Sequence, residues 1–272
     1  MESIVILADF TPEARTAIDY GYALAAEKQL PVSLIYVYDV PMLYAPDAFS
    51  GTFLPLEDAQ RIATDNLNNL AADCATRFPG VATTTHLALM GPESVLDNDP
   101  QAHESLVIVG IDPDSLNDWW EDHRGLDMLR ESRHTVLAVQ TGFTYQPVRR
   151  ITLALRADQS PDTFPLQQLQ ALLATTGASL QVVTVNAHNE LSATLMAGLT
   201  SFGAVFHQIS GSDDVDATLA RFVIDHPADW LAVVPGEYGF WAGLFHKSST
   251  LALAGHSSVP LLALHLPAPE ST

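Results

Sequence analysis

The sequence predicts two tandem α/β domains, each a doubly wound, five-stranded parallel sheet with strand order 3-2-1-4-5, packed together as a pseudo-dimer. Three observations predict it. Short uninterrupted apolar runs, of which Ile4-Val5-Ile6-Leu7-Ala8 is the first, mark strands buried on both faces. Helical patterns separate these runs, as expected of parallel strands joined by right-handed crossovers. The whole pattern then begins again at Ile151, and self-similarity on that scale signals a duplicated domain.

In the first half, Asp9 ends the opening strand, and Thr11-Pro12-Glu13 starts a helix with Thr11 as N-cap and Pro12 in its first position. Apolar residues from Ala14 to Ala25 follow at helical spacing, and Leu30-Pro31 ends the element. Residues 32–38 form the second strand. Residues 39–57 are rich in Pro, Tyr, Phe and Gly and read as a long loop, a packed cover or a dimer contact. A helix over 56–78 stops at Pro79-Gly80. A strand over 82–90, the Gly91-Pro92 turn and a short helix to about 98 come next. A buried strand over 106–109, a helix over 116–133 and a strand over 135–139 complete this half.

Residues 141–147 are polar and turn-rich, so the domains are expected at 1–141 and 148–272. In the second half 151–155 repeats 4–8, Asp158 repeats Asp9, and 180–185 repeats 32–37. Phe206-His207-Gln208-Ile209 is a weaker third strand, 231–234 repeats 106–109, and 261–264 repeats 136–139. Between the last two strands lies a helical stretch from Phe240 to Gly255 that carries Lys247-Ser248-Ser249-Thr250, one cation beside three hydroxyls. The two last strands are the expected pairing edge between the halves.

Composition excludes several functions. The 272 residues carry 12 basic and 32 acidic side chains, a formal charge of −20, which disfavours nucleic acid and anionic lipid as partners. No apolar run is long enough to span a bilayer and no basic-then-apolar leader opens the chain, so a cytoplasmic protein is expected. Cys74 stands alone and reads as a small buried hydrophobe. His246, His256 and His265 lack metal-ligand spacing, and no Gly-x-Ser-x-Gly follows a strand, so neither a metal centre nor an activated nucleophile is expected.

Ligands of doubly wound sheets lie beyond the carboxyl ends of the strands. Asp9 and Asp158 follow the first strands there, and Gly110-Ile111-Asp112 follows the fourth. The opening Ile6-Leu7-Ala8-Asp9-Phe10-Thr11-Pro12, the Met90-Gly91-Pro92-Glu93 turn and Leu106-Val107-Ile108-Val109-Gly110 resemble the universal stress protein family. The tail from Leu244 through His265 resembles the second half of its tandem members. The resemblance implies a Rossmann-like fold, a regulatory rather than enzymatic role, and ATP or another adenine nucleotide as a candidate ligand. It places Asp9 and Asp158 at the adenine end, with Val37 and Val185 closing the second strands beside them.

In nucleotide-binding members a Gly-x-x-Gly … Gly-Ser/Thr loop cradles the phosphates on backbone amides. Here Gly110 stands, but Pro113 replaces the second glycine, and Asp122-His123 falls where Gly-Ser should be. In the second half Ser248 survives, Lys247 replaces its glycine and Glu237 falls at the second glycine. Lys247 could hold a phosphate as a point charge, which makes the second half the better anion site. Three readings stay open: a binding and regulatory protein with degraded phosphate loops, an ATP-binding member using Asp158, Val185, Lys247 and Ser248, or a hydrolase or transferase on the same fold. Equally open is that Asp9 and Asp158 cap their helices or bond turn amides, and that Ser248-Ser249-Thr250 caps the last helix with Lys247 solvated. A protein partner and a homodimer of the tandem chain are further expectations.

Overall fold

The computed structural model describes residues 1–38, 42–43, 52–53, 56–89, 91–96, 104–112, 132–156, 159–185, 191–209, 215–234 and 259–266. In chain order the sheet and helix elements are β1 (Ser3–Ala8), α1 (Pro12–Lys28), β2 (Val32–Tyr38), α2 (Leu56–Arg77), β3 (Thr83–Leu89), α3 (Glu93–Leu96), β4 (Ser105–Ile111) and β5 (Thr135–Gln140). The second half continues with β6 (Arg150–Leu155), α4 (Leu166–Thr176), β7 (Ser179–Val185), α5 (Ala193–Ser201), β8 (Val205–Ile209), α6 (Val215–Asp225), β9 (Trp230–Val233) and β10 (Leu261–Ala263). Met42–Leu43 and Thr52–Phe53 pair as a short antiparallel ribbon in the aromatic loop. The helix expected over 240–255 and residues 116–131 of the helix expected over 116–133 lie outside the described residues, while 132 and 133 are described and not helical.

One ten-stranded sheet contains all the labelled strands, in the order β8-β7-β6-β9-β10-β5-β4-β1-β2-β3. Each half is therefore a parallel 3-2-1-4-5 sheet. The halves join where β10 runs antiparallel to β5, with Leu262 opposite Leu137, at the expected edge. Because crossovers leave both faces covered, β4 and β5 are buried almost throughout, which is why they read as apolar runs. Even-numbered residues of β1, Ile4, Ile6 and Ala8, pack under α1, while Val5 belongs to the opposite core. Among the described residues no helix is long and apolar enough to cross a membrane.

Pairing corrects one expectation. Ile4 is in register with Leu106, and its repeat Ile151 with Trp230, so 230–233 and not 231–234 corresponds to 106–109. The run from Trp230 to Val234 has no polar residue to mark its phase, and a one-residue slip exchanges the two faces.

Helix α1 begins as its sequence requires: Thr11 is the N-cap and its hydroxyl accepts from Ala14 N–H, with Pro12 at the first position. It ends at Gln29, which is left-handed at φ 56°, and α4 ends likewise at Gly177, φ 70°. Cys74 is fully buried in α2, and burial pushes its thiol up. Beside it Tyr22 stacks on Phe78 and shares a 3.1 Å hydrogen bond with the Thr83 hydroxyl.

Burial pushes the Tyr22 phenol from 10.0 up to about 12, and also raises that of Tyr20. An unfolded tyrosine ionises near its ordinary value, so above it the unfolded chain loses a proton that the native chain keeps. The stabilising contribution is complete below pH 10 and is lost as pH rises toward 12, by about 1.4 kcal/mol per pH unit for each such group. We expect the urea-unfolding free energy to fall in that window and Tyr22→Phe to flatten the decline. An unchanged slope would contradict the burial described for this ring.

Candidate functional site

The candidate site of the first half lies where β1, β2 and β4 end. Chain direction reverses abruptly after Ala8: Asp9 is exposed and Phe10 adopts φ 65°, a left-handed conformation unusual for a bulky side chain. Its ring, 41 % exposed, meets Tyr36 edge-on with centroids 4.7 Å apart. The turn brings the Asp9 carboxylate back onto its own chain. Oδ1 accepts from Thr11 N–H at 3.0 Å and from the Thr11 hydroxyl at 2.6 Å. That hydroxyl in turn accepts from Ala14 N–H at 3.2 Å. Carboxylate and hydroxyl thus form a short relay that satisfies amides at the start of α1, and Glu13 adds another negative charge in the first turn.

Gly110 is explained by packing. A methyl group at its α-carbon would lie 2.2 Å from the Glu13 carbonyl carbon and 2.6 Å from the Ala14 nitrogen. The first turn of α1 therefore rests directly on the backbone of β4, an approach that only glycine permits. Its counterpart in the second half is Val234, four residues after Trp230 as Gly110 is after Leu106. The difference has a local cause. Aligned by their left-handed caps, α1 has 17 residues and α4 only 11, and a separate 3-10 turn at Pro161–Thr163 stands where α1 has its first turn.

Asp9, Val37 and Gly110, three of the expected site residues, do converge. Together with Ala14, Pro92 and Val109 they line a cavity of about 30 Å³. That volume suits a water molecule, whereas cavities holding organic ligands run to roughly 300 Å³ and more. Of the remaining expected residues, Val185 closes β7 in register with Ile209. Asp158, Lys247 and Ser248 lie outside the described residues. Thr11 is a site residue that sequence reasoning treated as a cap alone; the Asp-x-Thr spacing was the available signal that it also engages the carboxylate. Nothing in the sequence marks Phe10 as left-handed.

A family model described as "Universal stress protein family" matches residues 1–110. No curated protein matches the chain. Among solved structures, a universal stress protein from Archaeoglobus fulgidus is 11% identical over 97% of this chain and 98% of its own, with a TM-score of 0.70. A functionally unknown protein from Pseudomonas aeruginosa PAO1 is 15% identical over 97% of this chain and 92% of its own, with a TM-score of 0.53. At such identities the likeness is one of fold, and it extends through both halves.

Proposed function

We propose, on the premise that residues 1–110 belong to the universal stress protein family, that this protein is a non-enzymatic regulatory member acting by protein and small-molecule binding, and that its first crevice holds no nucleoside triphosphate. One observation carries the reading: the groups a nucleotide would need there are already engaged by the chain. Asp9 bonds Thr11, the Gly110 backbone is covered by Glu13 and Ala14, and the cavity that the described residues line there measures about 30 Å³. Regulation would then rest on surfaces presented by the joined sheet.

The test is a thermal melt with magnesium ATP. A ligand held only by the native state raises the melting temperature, by about 2.7 kcal/mol of stability at a hundredfold excess over Kd. We expect no rise attributable to the first half. A rise of several degrees that disappears in Val37→Trp, which plugs the cavity, would overturn the proposal.

A further inference from the structure

The duplication builds the contact between the two halves twice, with different side chains each time. Counting back from the caps Gln29 and Gly177, Gln168 of α4 stands where Tyr20 of α1 stands. The strand registers likewise put Leu106 where Trp230 stands. On one side the Trp230 indole N–H donates to the Tyr20 hydroxyl at 2.7 Å, and both rings are buried. Tyr145, from the segment joining the halves, packs edge-on against Tyr20 with centroids 5.1 Å apart and donates its hydroxyl to Glu27 at 2.7 Å. Three aromatic rings fill that side.

On the other side the smaller Leu106 and Gln168 leave a cavity of about 320 Å³, lined also by Met1, Glu2, Glu104 and Leu172. Its size falls in the range of small-molecule sites, roughly 300–1,000 Å³. Leu106 and Leu172 are buried apolar surfaces within it. Glu2 and Glu104 sit side by side, the backbone N–H of Glu2 donating to the Glu104 carbonyl at 3.0 Å. Glu2 and Glu104 are the only charged side chains among the residues that line it, so the lining favours a cation.

We propose that this cavity binds a small aromatic amine. The ring lies against Leu106 and Leu172, in the space that the Trp230 ring takes up on the opposite side, and the ammonium pairs with Glu2 and Glu104. The site is separate from the crevice at Asp9 and does not rest on the function proposed for it.

Tyramine is the probe, measured by titration calorimetry on the full chain, with 4-hydroxyphenylacetate as the anion bearing the same ring. Saturable binding of tyramine is expected, with no binding of the anion. Glu104→Gln weakens it about fivefold, the worth of one partly exposed ion pair. Gln168→Tyr restores on this side the phenol found opposite and weakens binding at least about tenfold by occupying the cavity. Leu106→Trp does the same from the strand side. Comparable affinity for the anion, unchanged affinity in a folded Gln168→Tyr protein, or no saturation by tyramine at about 10 mM would each overturn the proposal.

Discussion

Replacing Gly110 with alanine is expected to destabilise the protein by about 3 kcal/mol or more, the upper range for overpacking. The added methyl would meet backbone atoms of Glu13 and Ala14 at 2.2 to 2.6 Å, and no side-chain rotation can relieve that. Helix α1 would have to lift from β4. Lifting it exposes Ala14 and Ala17 and loosens the turn that Asp9 and Thr11 hold. For a chain of this size the loss corresponds to a melting temperature lower by roughly 6–12 °C. The contrast is Val234→Ala, which removes methyl groups at the matching position of the second half and so adds nothing that the packing must accommodate; it is expected to cost about 1 kcal/mol. A Gly110→Ala protein that melts with the wild type would mean that α1 does not rest on β4 as described.

Trp230→Ala is expected to cost about 4 kcal/mol, as large-to-small changes of a buried indole do. Trp230 is fully buried at the junction of the halves and is the partner of the buried Tyr20 hydroxyl. Truncation leaves both a void and an unsatisfied phenol, the latter alone worth about 1–3 kcal/mol. Tyr20→Phe separates these contributions: combined with Trp230→Phe in a double-mutant cycle, it should show a coupling of about 1 kcal/mol. Equilibrium urea unfolding is the measurement. Additive effects without coupling would remove the hydrogen bond from the account of how the halves are joined.

Much of this architecture is legible in the residues. Strands covered on both faces must be apolar throughout, so β1, β2 and β5 announce themselves, and β2 occupies residues 32–38 as read. Thr11-Pro12 states the start of α1 because an N-cap hydroxyl followed by proline fits few other local structures. The end of α1 is less visible, since the left-handed cap falls on Gln29 rather than a glycine. The phase of β9 is hidden for a different reason: five consecutive apolar residues carry no period.

Site roles are harder to read than strands. A glycine after the fourth strand suits a phosphate cradle and a close helix approach equally well, and only the placement of α1 on Gly110 decides between them. An aspartate after the first strand is equally ambiguous until its carboxylate is seen on Thr11. The cavity at Leu106 and Gln168 is invisible in either half alone, because it arises from the difference between two copies of one interface.

The measurement that bears most directly on the central claim is the affinity of magnesium ATP for wild type and for Asp9→Ala, determined by titration calorimetry under one set of conditions. We predict that the substitution leaves ATP binding unchanged, because the Asp9 carboxylate serves the turn into α1 and the cavity that the described residues line beside it, about 30 Å³, is too small for a ring. Binding by the wild type that is lost in a folded Asp9→Ala protein would contradict this and show the first crevice to be a nucleotide site.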